Sequence, residues 1–469
     1  MTTQERLDRT IHTSRDVGLR EQILLAFFLS LPSILSQLST IVMEYIDASM
    51  VGSLGAEASA SIGLVATTTW MFGGLCSAVS SGFSVQVAHL FGANRKKEAN
   101  AVFRQAFVAS LGIGLFLALI GVAISGPLPV WLGGNSDIVG NASAYFLVFA
   151  LSMPIYVLYH LTNSMLRCSG DMKMPSIMNI TICVLDVVFN FFFIFPQRDI
   201  EIGSLHLACP GLGLGVLGAA LGTLAAWMVG FTCLMVYVSV WSKELRLVLR
   251  GRLLPDRQVV RQAFKIGTPI GMERVISCGA QIVSTIIVAP LGTVAIAANS
   301  FGITIESLCY MPGYGIGDAA TTMVGQSVGA GREDLIRRFS LITLWMGIGV
   351  MTLLAVVMYV AAPELMSLMT PNLEVQQLTS TVLRIEAFAE PLFATSIICY
   401  SVFVGMGRTM GPSILNLSSI WLVRIPLAAL LAASYGLIGV WIAMAFELCV
   451  RGLVLLFRLL PRLKIIHNA

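Results

Sequence analysis

The sequence predicts an all-α polytopic membrane protein, with twelve transmembrane helices in two six-helix bundles related by a pseudo-two-fold axis along the membrane normal. Three observations predict it. First, 56% of the 469 residues are hydrophobic and 12% charged, with a mean hydropathy of +0.84; a soluble domain carries roughly 25% charged residues, so that class is excluded. Second, the apolar runs reach about twenty residues or more, enough for an α-helix to cross the hydrocarbon core, and lack the alternation of an outer-membrane barrel. Third, motifs recur at a constant offset of 237 residues, so one six-helix unit is used twice.

Taken in order, the first twenty residues carry Arg6, Arg9, Arg15 and Arg20 but no short apolar core or cleavage site, so no signal peptide is expected to be removed. Spans are then predicted over about 22–46, 58–88, 105–130, 142–165, 175–196, 213–240, 262–289, 295–327, 338–361, 376–404, 413–433 and 436–459. Basic residues collect in alternate loops: Arg95-Lys96-Lys97, Arg167 with Lys173, Lys243 to Lys265, Arg332 with Arg337-Arg338, Arg408, and the tail with Arg458, Arg462 and Lys464. The positive-inside rule places these loops and both termini in the cytoplasm, leaving only Arg198 outside. The chain divides into an N-terminal lobe over 1–240, a linker over 241–261 and a C-terminal lobe over 262–469. The linker's Arg246, Arg250, Arg252, Arg257 and Arg261 lack the interleaved aromatics of a nucleic-acid site, so a positive-inside linker is the expectation. The nine cysteines lie mostly in apolar runs, with only Cys209 in a clear loop, and read as small hydrophobes.

The repeat pairs Pro32 with Pro269, Gly55 with Gly292, Pro154 with Pro391, Gly170 with Gly407, and PSIMN from Pro175 with PSILN from Pro412. It preserves residues that shape backbone, prolines for bends and glycines for turns and close approach. An even number of spans per unit gives parallel copies, and two bundles facing each other imply a central cavity. The charges do not follow the repeat. Asp47 falls opposite Ser284, Asp186 opposite Val423, Glu273 opposite Ser36 and Glu306 opposite Thr69, so each half has its own polar site.

The first span, PSILSQLSTIVMEYID, ends in two carboxylates on one helical face, Glu44 and Asp47. An ionised carboxylate at bilayer depth costs roughly 2.5–3.5 kcal/mol on insertion scales, so a cation, a proton or a polar cavity is expected to offset it; an acid in water at the helix end is the alternative. Further acids at membrane depth are Glu273 beside Arg274, Glu306, and Glu386 and Glu390 on one predicted face with Arg384 as a neighbour. Adjacent carboxylates repel when both are ionised and so favour proton binding, while fixed pairs with Arg274, Arg384 or Arg424 are the structural alternative. Asp318 and Glu447 are assigned no role, and His89, opposite Gln326 in the repeat, reads as a hydrogen bonder at the cytoplasmic end.

With YIDASMVGSLG after the proline-bent first span, the turns FGANRKKEA and VGAGRED, and GVLGAALGT opening the sixth, the sequence resembles the multidrug and toxic compound extrusion (MATE) family, prokaryotic type, over nearly its whole length. The resemblance implies a monomeric multi-pass protein of a bacterial or archaeal inner membrane. It would export small organic, often cationic, compounds in exchange for inward Na+ or H+, with no other cofactor. In many members the first-helix acid, here Asp47, joins polar groups of helices five and six in the coupling site. The helix-six threonine falls on Thr223. The helix-five pattern of Asn and, four later, Asp falls on Asp186 and Asn190, the pair exchanged; all four groups offer oxygens that suit Na+. Pro32 is the implied hinge. The C-lobe glutamate of NorM-type members corresponds only approximately to Glu273, one turn early, and Glu306, Glu386 and Glu390 are the other candidates there for substrate or proton. The 22 Met and 24 Phe suit an adaptable cavity wall. Two rivals are a flippase of lipid-linked substrates, which would want a basic cavity, and an intramembrane enzyme, for which the sequence offers no HExxH motif.

Overall fold

The computed structural model describes residues 3–13, 17–202, 205–242, 244–247 and 254–465. Arg15, Lys243, Arg250 and Arg252 of the predicted basic segments lie outside the described residues, as do the side chains of Arg198, Cys209 and Lys464. The helices are α1 Thr3–His12, α2 Leu19–Gly52, α3 Ala56–Gly92, α4 Lys96–Ser125, α5 Leu128–Trp131, α6 Ser136–Cys168, α7 Lys173–Ile194 and α8 Gly215–Val236. In the second half they are α9 Arg257–Val288, α10 Thr293–Gly329, α11 Glu333–Met369, α12 Leu373–Ala387, α13 Glu390–Gly405, α14 Met410–Ser419 and α15 Ile425–Ile465. Excluding the short α1 and α5, the helices supply twelve crossings. α12 and α13 form one span bent by 57°, and Gly436, at φ 57° and ψ −138°, divides α15 so that 410–435 and 437–465 each cross once.

The repeat appears directly in the backbone. Gly55 and Gly292 precede α3 and α10 with the same extended positive-φ geometry (116°, 171° and 100°, 169°), and Asn94 and Gly331 take the left-handed corner of the two equivalent turns. Equivalent prolines behave differently. Pro154 sits within continuous α6, whereas Pro391, at the start of α13, follows the break after Ala387; its ring cannot accept the carbonyl four residues back without bending the chain. Most helices outrun the predicted spans, because polar ends such as Lys96-Lys97-Glu98 and Glu333-Asp334 continue the helix into the turns.

The halves interlock crosswise, α2 against α10 and α3 against α9, and glycines make this possible. A Cβ on Gly82 would lie 2.5 Å from Ala263 O, one on Gly267 2.8 Å from Ala78 O, and one on Gly315 2.7 Å from Ile34 N. At the end where the FGANR and VGAGR turns lie, the two-fold relation is closest: Gly92 abuts Gln326 O and Gly329 abuts His89 O. There His89 Nε2 donates to Gly405 O at 2.8 Å, and its counterpart Gln326 Nε2 donates to Cys168 O, also at 2.8 Å. Arg167 of α6 bridges to Asp318 of α10 across the same seam. Asp318, given no role from sequence, therefore ties the halves together.

Two elements were not anticipated. The loop between α7 and α8 is an antiparallel hairpin of Pro196–Ile202 and Leu205–Leu212. The basic N-terminus forms α1, whose Leu7 and Ile11 are 1% and 2% exposed. It caps the sealed end from both halves: Gln4 donates to Ser169 O at 3.1 Å, while Arg332 donates to Thr13 O at 3.1 Å. Replacing Leu7 and Ile11 together by Ser removes two buried side chains worth about 1.5–3 kcal/mol each. The expected outcome is undocking of α1, read as faster tryptic cleavage at Arg6 and Arg9.

Candidate functional site

In the first half, α2, α7 and α8 bring the four predicted residues together. Asp186 and Asn190 are one turn apart on the inner face of α7, 0% and 1% exposed. The Asn190 amide donates both to Asp47 Oδ1 on α2, at 2.9 Å, and to Asp186 Oδ2, at 3.1 Å. Thr223 approaches Asp186 from α8. Asp186 Oδ1 and Asn190 Oδ1 are buried acceptors without a hydrogen-bond partner. One amide between two carboxylates, with two vacant acceptor oxygens beside it, is a site that gains from a proton or a hard cation. Glu44, one turn before Asp47, is exposed.

Gly222 of α8 is a residue that sequence reasoning missed. A Cβ there would overlap Asn190 Oδ1, so the glycine sets how deeply α7 and its amide can seat. Its signal was present in the GVLGAALGT stretch, but not its partner. Gly222→Ala is expected to destabilise the protein by about 1–3 kcal/mol through overpacking, visible as a lower thermal unfolding midpoint.

The second half is built on a cavity of about 270 Å³ between α9, α10, α13, α14 and α15. Glu273 on its wall accepts from Tyr400 Oη at 2.6 Å and from Asn416 Nδ2 at 2.9 Å. This is the repeat counterpart of Asn179, which donates to Ser36 O at 3.3 Å: the two PSI-M/L-N motifs place the same asparagine, and the second half substitutes a carboxylate for a serine. Glu306 also lines the cavity, 6% exposed and within electrostatic reach of Arg424 and Arg451.

Span ten corrects two expectations. Glu386 and Glu390 lie on either side of the bend between α12 and α13 rather than on one helical face, are sealed behind the cavity wall at 0% exposure, and none of their four carboxylate oxygens has a hydrogen-bond partner. Arg384 partners neither: it donates to Tyr359 O at 3.3 Å and stacks over the Tyr359 ring on the exposed side. Arg384 and Glu386, two residues apart on α12, point to opposite sides of that helix, and the break lies between Glu386 and Glu390. Nor, among the described residues, does an ion pair join Arg274 to Glu273 or Arg424 to any acid. The buried pair in this half is Glu447 with Arg451, at 3.1 Å, with Ser419 Oγ donating to Glu447 at 2.5 Å. Glu447, given no role from sequence, is thus a fixed partner, and the cavity wall holds Arg451 where Arg384 was the expected third arginine.

A family model described as MatE matches residues 32–192 and 269–430, stretches that start at the paired prolines of the two halves. The chain belongs to the MATE family. Its relatives include the "Probable multidrug resistance protein NorM" of Neisseria meningitidis serogroup A, 25% identical over 93% of this chain and 94% of that one. The protein so described from Thermotoga maritima is 24% identical over 92% and 90%. Among solved structures, an outward-facing multidrug resistance MATE family transporter of the MOP superfamily superposes with a TM-score of 0.89 at 20% identity, covering 100% of this chain and 99% of that one. A MOP superfamily transporter from Pyrococcus furiosus gives 0.88 at 19% identity over 100% and 99%. At that identity the structures speak for the fold, a MATE transporter fold of two six-helix bundles in a membrane.

Proposed function

We propose that this protein is a secondary active antiporter, exporting small organic, often cationic, compounds in exchange for inward Na+ or H+ by alternating access of two lobes, 1–240 and 262–469. The observation that carries the reading is the Asp47–Asn190–Asp186 bridge, with its buried vacant oxygens, in a family whose curated relatives are described as probable multidrug resistance proteins. Two carboxylates and an amide at bilayer depth support a site that exchanges its counter-ion rather than one that only packs helices. Na+ here is cargo, taken by Asp47, Asp186, Asn190 and Thr223; a proton would bridge the two carboxylates.

The sealed end carries Arg95, Lys96, Lys97, Arg332, Arg337 and Arg338, which supports its assignment to the cytoplasm, and with it an outward-open state and cytoplasmic termini. Occupying the N-lobe site would remove the repulsion between Asp47 and Asp186 and let α2 bend at Pro32, where proline removes a helical hydrogen bond. Substrate would sit between the lobes and in the C-lobe cavity, a cation meeting Glu306 and the rings of Tyr310, Tyr314 and Phe393.

The test is uptake of a fluorescent cationic dye into inside-out proteoliposomes under an imposed Na+ or pH gradient. Uptake under one gradient and not the other names the ion. Absence of uptake under both overturns the antiport reading and brings the flippase alternative forward.

A further inference from the structure

We propose that the C-lobe cavity binds the anionic group of an organic compound, a carboxylate, sulfonate or phosphate, between Arg274 and Arg424, so that substrates include organic anions. This deepens the transport reading and rests on the cavity belonging to the transport path. The charges on the cavity wall divide into those already satisfied and those that are not. Arg451 is held by Glu447, and the Glu273 carboxylate is held by Tyr400 and Asn416. That leaves Arg274 and Arg424, which make no ion pair or hydrogen bond among the described residues, although Glu273 lies within electrostatic reach of Arg274 and Glu306 and Glu386 within that of Arg424. Unpaired guanidiniums at membrane depth are costly, and their planar forks match carboxylate and phosphate oxygens two at a time.

The backbone is shaped to present both. Gly74 of α3 leaves the room that the Arg274 stem fills, since a Cβ there would lie 2.9 Å from Arg274 Cβ. Arg424 closes a π-helical turn, Ile420–Arg424, and both of its end residues face the cavity; such one-residue widenings recur at functional sites. The two arginines come from different walls, α9 and the turn after α14, and Tyr310, Tyr314 and Phe393 also line the cavity for an apolar body. At the repeat positions the first half has Gln37 and Val187, so the feature belongs to this cavity and not to the fold's symmetry.

The experiment is equilibrium dialysis of the purified full chain in neutral detergent with 7-hydroxycoumarin-3-carboxylate, and with 7-hydroxycoumarin as the same body without the carboxylate. The expected result is saturable binding of the carboxylate, weakened on the order of 10-fold by Arg274→Gln or Arg424→Gln and further by both, with the neutral coumarin unaffected. Arg424→Lys keeps the charge and loses the fork; a few-fold weakening in a monodisperse sample supports the assignment where the Gln variants do not fold. Competition by dihexanoyl phosphatidylglycerol assigns the anion to a lipid headgroup, and its absence to a soluble compound. No saturable carboxylate binding, or equal binding by wild type and the double variant, overturns the proposal. Dye uptake by the wild type is read separately: uptake without carboxylate binding refutes this site and leaves the antiporter standing, whereas binding without uptake does the reverse.

Discussion

Asp47→Asn is expected to abolish gradient-driven dye uptake in proteoliposomes while leaving the protein folded. Asparagine keeps the volume of the side chain and an oxygen to accept from Asn190, now 2.9 Å away, but removes the charge that a proton or Na+ would neutralise. The N-lobe site would then hold a single carboxylate, Asp186, already bonded to the same amide, and its occupancy would no longer report the gradient. Coupling free energies between two sites commonly correspond to factors of about 5 to 150, so a loss on the order of 10-fold or more in the gradient-driven rate is the expected magnitude. Dye binding to the purified variant should stay within about twofold, since Asp47 lies outside the C-lobe cavity. Uptake at the wild-type rate would make Asp47 a solvated helix-end residue and shift coupling to Glu273, Glu306, Glu386 and Glu390.

The second large effect is expected from a single methyl group at the sealed end. In Gly92→Ala or Gly329→Ala the new Cβ would overlap a backbone carbonyl of the opposite half, Gln326 O or His89 O. A flexible side chain could swing aside, but these carbonyls sit in the last turns of α3 and α10 and accept from the cap amides of Ala93 and Ala330, so they move only with the helix ends and the halves must part. Parting them strains the hydrogen bonds from His89 to Gly405 and from Gln326 to Cys168. Overpacking of this kind costs typically 1–3 kcal/mol, enough to shift a two-state equilibrium by about 5- to 150-fold toward the open end. Cys168, 4% exposed at that seam, is the natural reporter. Its labelling by N-ethylmaleimide, mapped by mass spectrometry, should rise on the order of 10-fold in either variant, with transport falling in parallel. Labelling at the wild-type rate in both would mean that the helix ends absorb the methyl and that this contact does not set the closed state.

Much of this was legible because it is local. Hydrophobic length determines a crossing wherever it occurs, proline and glycine act on their own turn of backbone, and the offset of 237 residues needs only the chain to be compared with itself. For the same reason the spacing of Asp186 and Asn190 placed both on one face, and the acid ending the first span pointed to a partner. The sequence by itself therefore determined the class of protein and the doubled architecture, while the membership of the N-lobe cluster came through the resemblance to the MATE family.

The tertiary structure decided what depends on contacts between distant segments. Pro154 and Pro391 are equivalent in the repeat, yet only the second accompanies a break, and Glu386 and Glu390 lie buried on either side of it. Asp318 was unassigned from the sequence because its partner, Arg167, is visible as a partner only once α6 meets α10; Glu447 and Arg451 stand four residues apart on one helix, a spacing the sequence does show, and the packing decides only that the pair is buried. Gly222 has meaning only against Asn190. Arg424 reaches the cavity on a π-turn that no periodicity announces. The physical reason is common to all of these. Burial in a bilayer is governed by composition, segment by segment, whereas the pairing of charges, and hence which of them remain free for a ligand, is governed by distances between helices, which the packing of small residues across the two halves sets.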